Sequence, residues 1–254
     1  MKIPIIEKLY YSPVKSLSFA NSTNLTVKRS IGIKNDRIFA FTRLISKKES
    51  IVYEKYPEKR NLKYFLTLKN STFLNKYNFK FNNRELSLLL NNKLIKKITI
   101  HNNDNFESLS KELEHREKLI TTTPYLIFNE SFPFFDTMPN NSISLINLNS
   151  IKDFEQKVER KIEHERFRGN IYVNNIEPWA EFSWINKEIA IGDCLFKVIR
   201  KIPRCSATNL KPNSDVTDIN LPQKLIDNYG QRDMGIYLMP LNDGYINVGN
   251  KIKF

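Results

Sequence analysis

The amino-acid sequence predicts a mainly β protein of the α+β class, in which a few helices pack outside a β-barrel or sandwich. Short runs of β-branched and aromatic residues recur along the 254 residues, separated by polar breaks. Turn-forming pairs such as Gly192-Asp193 and Asp243-Gly244 stand between the later runs. Apolar residues at helical spacing are confined to three segments, which predicts that helices are few.

The first hundred residues have the pattern of β-structure, and a helix is predicted to follow from Asp104 or Asn105. Phe106, Leu109 and Leu113 fall on one face of that helix. Strands are predicted at residues 37–43, 50–53, 64–68 and 94–100, with a hairpin of 79–81 and 84–90 that turns at 82–83.

A polar link at residues 118–123 predicts a boundary between two domains, at 1–117 and 118–254. In the second domain a helix capped by Asn149 or Ser150 is expected to bury Ile151, Phe154 and Val158. The other elements predicted there are strands at 124–128, 142–146, 171–173, 188–191, 195–199, 235–239, 245–248 and 251–254, and a helix at 222–229.

Composition narrows the class of protein but leaves its partners open. The chain is 41% hydrophobic and 26% charged, which is typical of a globular protein and not of a disordered one. The net charge of +13 favours phosphate-bearing partners, from nucleic acids to small anionic cofactors. Abundant scattered lysines explain the same charge without any such partner.

Several kinds of protein lack support in the sequence. No signal peptide or membrane-spanning run is visible, so we expect a soluble, cytoplasmic protein. Two cysteines are too few for a disulfide framework and indicate a reducing compartment. The three histidines are isolated, which argues against a conventional zinc site, and the sequence contains no glycine-rich phosphate loop and no serine-hydrolase elbow.

The two cysteines differ in their surroundings. Cys194 opens an apolar strand, where a small buried side chain is the expected role. Cys205 follows the end of a strand, and the neighbouring Arg204 would favour its thiolate form. From the residues alone, a reactive thiol and an incidental loop cysteine are equally supported.

Scattered basic and hydroxyl residues suggest an anion site if they converge. Lys15-Ser16 follows a proline, Arg37 follows an aspartate, Arg168 lies in a Phe-Arg-Gly-Asn run, and residues 121–123 are three threonines. Each alone is an ordinary surface residue, whereas several together would bind a phosphate.

Read in order, these segments resemble the MOSC family, named for the C-terminal domain of molybdenum cofactor sulfurase. The matches run almost from end to end of the chain and keep their order, so that the set is far more specific than any one motif. The matching segments are YSPVKS at 11–16, the glycine-to-arginine segment at 32–37, RFRGNI at 166–171, PWAE at 178–181, IGD at 191–193, Arg204-Cys205 with Thr208, and the closing segment at 244–249.

The resemblance implies a MOSC β-barrel packed with an N-terminal β-barrel-like domain, and a molybdenum-pyranopterin cofactor between them. By the same resemblance Cys205 is the metal ligand and the catalytic centre, and pyridoxal phosphate is not expected. The residues implied in cofactor binding are Lys15, Ser16, Arg37, Thr122, Thr123, Arg168, Asn170, Arg204 and Tyr237.

The activity that the resemblance implies is the reduction of N-hydroxylated compounds, as in amidoxime-reducing components and bacterial reductases of N-hydroxylated bases. The electrons would come from a separate donor protein, namely a ferredoxin, a flavoprotein or a cytochrome b5-like protein, and no nucleic acid or membrane partner is implied. Two alternatives stay open at this point. One is a carrier of the cofactor or a sulfur-transfer module, and the other is a basic β-barrel that binds nucleic acid without catalysis.

The chain also departs from the family pattern. Pro203 stands where the family has a serine before Arg-Cys, and Gly169 stands where it has a proline. Lys211 replaces an aspartate, and Glu54 replaces a common arginine, which bears on substrate choice.

Overall fold

The computed structural model of the protein describes residues 3–100, 104–119, 123–135, 139 and 141–254. These residues form sixteen strands and four α-helices, and none of the helices is long and apolar enough to cross a membrane. The helices are α1 (Lys47–Lys55), α2 (Asp104–Arg116), α3 (Leu148–Lys157) and α4 (Leu221–Tyr229). The strands are β1 (Ile5–Tyr11), β2 (Ala20–Ser22), β3 (Asn24–Lys28), β4 (Gly32–Ile33), β5 (Phe39–Thr42), β6 (Tyr77–Asn82), β7 (Glu85–Leu90), β8 (Lys93–Thr99), β9 (Tyr125–Phe128), β10 (Ile143–Asn147), β11 (Ile171–Asn174), β12 (Glu188–Ile191), β13 (Cys194–Pro203), β14 (Asp233–Pro240), β15 (Gly244–Asn247) and β16 (Ile252–Lys253).

The largest element is an eight-stranded, curled sheet in the order β16-β12-β13-β14-β10-β11-β1-β2. Its pairs are antiparallel except β10 with β11. One face buries a core that includes Leu145, Val198 and Leu238, each without exposed surface. Helices α3 and α4 pack on a second core, which includes Ile151, Phe154 and Leu225. Burial of these apolar side chains is the main stabilising contribution.

Three smaller sheets complete the molecule. β6, β7 and β8 form one, β5 pairs with β9, and β15 pairs with β3 next to β4. A further core joins the first two of these sheets to α2, which contributes Phe106, Leu109 and Leu113. Val14 and Leu210 belong to the same core, although they adjoin strands of the eight-stranded sheet. The two main cores therefore meet along the segments that follow β1 and β13.

Strands pair across the predicted domain boundary at residue 118. β1 lies in the sheet built by strands of the second half, β3 pairs with β15, and β9 pairs with β5 of the first half. The division into residues 1–117 and 118–254 stays a prediction.

Many predicted elements are present, with small shifts at their ends. The hairpin is formed by β6 and β7, but its turn lies at Asn83-Arg84, where both residues have positive φ angles, of 48° and 61°. Helix α2 begins at Asp104 as predicted. The cap of α3 is Asn147, whose side chain accepts the N–H of Asn149, so the predicted cap at 149 or 150 was wrong by two or three residues.

Two predicted strands are wrong. Residues 50–53 lie in α1, because Ser46 and Glu49 form a reciprocal capping box at its start. Residues 64–68 form the end of a 3-10 turn and an extended segment with one isolated bridge, from Phe65 to Thr42. Four strands, β1 to β4, precede the first strand that was predicted.

Candidate functional site

A cavity of about 660 Å³ lies where the two main cores meet. It brings together segments that are far apart in the sequence, from the end of β1 to the middle of β14. Eight of the ten predicted site residues line it: Lys15, Ser16, Arg37, Arg168, Asn170, Arg204, Cys205 and Tyr237.

The two predicted threonines are not placed with the other eight. Thr122 lies outside the described residues. Thr123 is exposed, does not line the cavity, and donates its hydroxyl to the Glu114 carboxylate at 3.0 Å. The structure therefore gives no support to the prediction for Thr123, because its side chain is directed to the end of α2.

Cys205 is held at the start of a short 3-10 helix, Ser206–Asn209, two residues after β13 ends. Both the backbone N–H and the hydroxyl of Thr208 donate to the Cys205 carbonyl, at 3.0 and 2.8 Å. The thiol is free, is half-buried and faces the cavity. Cys194, in contrast, is 1% exposed, and burial raises the pKa of its thiol to about 11. Of the two free thiols, only that of Cys205 is therefore available to a ligand.

Arg204 fixes the approach to the cysteine. Its guanidinium donates to the carbonyl of Phe167 at 2.8 Å and, through Nε, to that of Met234 at 2.9 Å. Its backbone N–H donates to the Arg232 carbonyl at 3.0 Å. Burial lowers the pKa of this guanidinium, so the charge lies in an environment that favours an anion nearby.

Arg37 is paired with a buried carboxylate, that of Asp36. Asp36 also accepts the Ser12 N–H at 2.8 Å and the Asn170 side-chain amide at 3.2 Å. Burial raises the pKa of Asp36, while Arg37 and the hydrogen bonds oppose that rise. The carboxylate thus ties the end of β1 to the loop that carries Arg37.

Asn170 is committed to the protein itself. Its amide nitrogen donates to the Tyr10 carbonyl at 3.1 Å and to Asp36, and its oxygen accepts the hydroxyl of Ser144 at 2.8 Å. These bonds use both amide hydrogens, so the side chain holds β1, β10 and β11 together at the cavity wall.

Two guanidinium groups share one aromatic ring. The Cζ atoms of Arg37 and Arg168 lie 4.9 and 4.7 Å from the centroid of Phe19. Arg168 also donates to the Leu17 carbonyl at 2.8 Å. Burial, and then the charge of Arg37, lower the pKa of Arg168 to about 10. Two like charges on one ring make a site that an anion would stabilise.

Three of the predicted residues adopt the left-handed backbone conformation that non-glycine residues rarely take. The φ angles are 67° for Ser16, 54° for Arg37 and 51° for Arg168. Such conformations cost of order 1–3 kcal/mol each and cluster at functional sites, because the surrounding fold must hold them. Their presence together in one cavity is a second feature, beside its charge, that makes it the candidate functional site.

Lys15 lies between Val14 and Leu17, two residues of the buried core, and is itself 4% exposed. Its ammonium group donates to the Phe134 carbonyl at 3.2 Å. A lysine is rarely this buried unless charge or hydrogen bonding holds it there. Its place in the cavity wall adds another deep positive charge.

The charged side chains in the described part of the cavity lining are all basic. Of the lining residues that the structure describes, seven are Lys or Arg and none is Asp or Glu. Sequence reasoning missed Lys63, Lys69 and Arg232, and also the ring of Phe19. The available signal was local: Asn61 and Asn70 build turns that present the two lysines, but nothing in the sequence indicated which way those turns face.

A buried arginine clamps the segment that follows the cysteine. Arg166 donates to the Asn209 carbonyl at 3.0 Å and to both carboxylate oxygens of Asp218, at 2.8 and 3.1 Å. Asp218 is also paired with Arg160 at 2.5 Å. The hydrogen bonding from Arg166 is the largest cause of the lowered pKa of Asp218. The clamp therefore joins the turn before β11 to the end of the cysteine's helix.

Glu54, at a position where the sequence departs from the family, does not line the cavity. Its carboxylate accepts the Phe128 N–H at 3.4 Å, and its carbonyl accepts the Asn129 amide at 2.6 Å. Burial raises the pKa of Glu54. The departure therefore alters the packing of α1 on β9 and not the cavity lining.

Comparison with known proteins identifies the kind of domain that contributes Cys205 and Arg168 to the cavity. Residues 135–253 match the family model described as the MOSC domain. The resemblance to the MOSC family is therefore confirmed, as is the mainly β fold with a few helices.

The relatives among characterised proteins are mitochondrial amidoxime-reducing components. Component 1 of Homo sapiens is 27% identical over 52% of this chain and 36% of its own length. Component 2 of Rattus norvegicus is 31% identical over 44% of this chain and 32% of its own length. Component 2 of Bos taurus is 28% identical over 49% of this chain. The matched segments thus span about a third of the first two relatives.

Solved structures with a similar arrangement include the YUAD protein from Bacillus subtilis. It is 12% identical, with a TM-score of 0.46, over 98% of this chain and 93% of that one. YiiM from Geobacillus stearothermophilus is 18% identical, with a TM-score of 0.35, over 43% of this chain and 52% of that one.

Proposed function

We propose that the protein is a molybdenum-cofactor oxidoreductase that reduces N-hydroxylated compounds, with the Cys205 thiolate as its ligand to the metal. One observation carries the proposal: a half-buried free thiol opens into a cavity whose charged lining residues, among those that the structure describes, are seven cations. The relatives named as amidoxime-reducing components support the same reaction class.

The donor set suits this cofactor. A thiolate is a soft ligand and matches a soft, sulfur-rich metal centre. Lys15, Arg37 and Arg168 would neutralise the phosphate of the pterin, and the hydroxyls of Ser16 and Tyr237 would add hydrogen bonds. A phosphate would add negative charge beside these buried and half-buried cations, which charge-assisted hydrogen bonds would stabilise.

The reaction breaks the N–O bond of the substrate, consumes two electrons and two protons, and releases the amine and water. When bound, the cofactor supplies the two-electron redox chemistry. The chain's own residues would hold the cofactor and orient the substrate. Thr208 and Arg204 fix the loop of Cys205, and the basic lining attracts and aligns the groups that bind. The electrons come from a separate donor protein of the ferredoxin, flavoprotein or cytochrome b5-like kind.

The test compares wild type, Cys205→Ser and Cys194→Ala, each purified from a host that makes the cofactor. Molybdenum content and X-ray absorption at the metal edge are measured alongside reduction of benzamidoxime by reduced viologen. We expect near-stoichiometric metal in the wild type. Cys205→Ser should lose one sulfur ligand from the absorption spectrum and lose turnover, because a hydroxyl is a poor replacement for a thiolate.

Cys194→Ala is the matched control, because its side chain is buried away from the cavity and it should keep both metal and activity. Full activity in Cys205→Ser would contradict the proposal. A wild-type protein without metal, but with a persulfide on Cys205, would favour the sulfur-transfer module. Salt-sensitive binding of single-stranded nucleic acid by a protein without metal would favour the nucleic-acid-binding β-barrel.

A further inference from the structure

Three of the seven cations in the cavity are exposed, in contrast to the buried or half-buried Lys15, Arg37, Arg168 and Arg204. We call them the rim cations: Lys63, Lys69 and Arg232. They come from three different segments of the chain, yet they border the same opening.

Each rim cation is carried on a turn that hydrogen bonds hold in place. Asn61 accepts the N–H of Lys63 at 3.1 Å and so caps the 3-10 turn that bears it. Asn70 accepts the Thr67 N–H at 2.8 Å and donates to the Phe65 carbonyl at 3.0 Å, which closes the turn around Lys69.

Arg232 lies in the turn between α4 and β14. Its carbonyl accepts the N–H of Arg204, the residue directly before the cysteine. Turns held in this way present their charges at little further entropic cost when a ligand binds.

The deep cations and the rim cations differ in the negative charge that would lie beside them once a cofactor is bound. Asp36 pairs with Arg37, and a cofactor phosphate would add a charge of about −1.5 to −2 near Lys15 and Arg168. Within the described part of the chain, no carboxylate forms an ion pair with a rim cation. Positive charge therefore remains at the mouth after the cofactor is bound.

Apolar surface adjoins these charges. Leu62, 50% exposed, and Phe135 both line the opening. A pocket with an apolar wall and a few polar anchors binds a ligand that has an apolar body and a matching polar group. An acidic group on an aromatic or aliphatic body would meet both features.

From these observations we infer that the site selects anionic N-hydroxylated substrates, whose carboxylate or phosphate binds the rim cations Lys63, Lys69 and Arg232. The inference rests on the proposed function, because it names the substrate class of that same site.

The experiment compares 4-carboxybenzamidoxime with neutral benzamidoxime, with reduced viologen as the source of electrons. The test variant replaces all three rim cations by Gln. The control variant replaces three exposed lysines outside the cavity, Lys80, Lys93 and Lys224, by Gln, so that both lose the same net charge. The measured quantity is the ratio of kcat/KM for the two substrates.

We expect the wild type and the control to prefer the carboxylated substrate by about tenfold, since three exposed charge contacts of ordinary strength together give a factor of that order. The rim variant should lose about tenfold of this ratio while it keeps its molybdenum and its turnover of the neutral compound. Higher ionic strength should lower the wild-type ratio.

Two results would overturn the inference while leaving the proposed function intact: a wild-type ratio near one, or an equal loss of both substrates in the rim variant. Absence of metal and of all turnover in the wild type would refute the proposed function. Calorimetric binding of the two amidoximes to that same protein then decides the inference, and equal affinities would reject it.

Discussion

Replacing Arg166 by Met should loosen the segment that follows Cys205 and destabilise the whole protein. The Arg166 side chain is 1% exposed and makes four hydrogen bonds, one to Glu163, one to Asn209 and two to Asp218. Methionine keeps the apolar stem but removes every donor, so the Asn209 carbonyl loses a buried partner.

The magnitude follows from which groups are left without a partner. Asp218 keeps Arg160, and Glu163, which also loses its bond from Arg166, is 41% exposed to water, so no buried carboxylate is left without a partner. What is lost is a bond from a charged group to a buried carbonyl together with a charge-assisted pair, at about 1.5–3 kcal/mol for each bond to a charged group before relaxation. We therefore expect the free energy of unfolding to fall by about 2–4 kcal/mol.

Two measurements report on the two consequences. Urea unfolding gives the loss of stability. The rate at which a thiol reagent modifies Cys205, in a Cys194→Ala background, reports how firmly its loop is held, and this rate should rise. Neither measurement needs a bound cofactor.

The companion variant Asp218→Asn separates a clamp from a simple packing effect. In a double-mutant cycle, Arg166→Met and Asp218→Asn should show a coupling of at least about 1 kcal/mol, because they remove the same contact. The lowered pKa of Asp218 means that its contribution is present above the ordinary value of 3.8 and is lost as the pH falls through the lower folded value. Unchanged urea unfolding and unchanged thiol reactivity in Arg166→Met would refute this account of the loop.

Two further predictions concern buried groups outside the cavity. Glu181 is fully buried and accepts hydrogen bonds from Asn147 and Ser150, and burial raises the pKa of its carboxyl group. Ionisation of this group therefore opposes folding as the pH rises above the ordinary value of 4.5. The Tm of Glu181→Gln should rise relative to that of the wild type as the pH increases, and a Tm difference that stays constant across pH would contradict this. Gly235 has a φ angle of +80°, and a Cβ atom at this position would clash with the Leu145 carbonyl oxygen. Gly235→Ala should therefore lower the free energy of unfolding by about 2–4 kcal/mol. An unchanged urea midpoint would contradict the close approach of β14 to β10 at this residue.

Local patterns in the sequence were sufficient for elements whose stability is local. Alternating apolar residues predicted the β6–β7 hairpin, and helical spacing predicted α2 with its three buried residues. The failure at residues 50–53 has a local cause as well. The capping box of Ser46 and Glu49 was readable in the sequence, but the β-branched and aromatic residues that follow it favoured a strand.

Ordered motifs in the sequence also determined the kind of domain and most of the candidate cavity residues. Eight of ten predicted residues line the cavity, because the motifs carried positions that composition and spacing could not have supplied. Local chemistry alone left Cys205 undecided between a reactive and an incidental thiol. Burial in the structure separates it clearly from Cys194.

Only the tertiary structure decided how the charges of the cavity are arranged. Asp36 binds both Arg37 and Asn170, the Phe19 ring contacts two guanidinium groups, and the lysines at the mouth line the same cavity as Cys205. These relations join residues up to about 150 positions apart in the sequence, and they depend on how the sheets pack. A sequence specifies each turn through short-range hydrogen bonds, whereas the direction that a turn faces is set by long-range burial of the two cores beneath it.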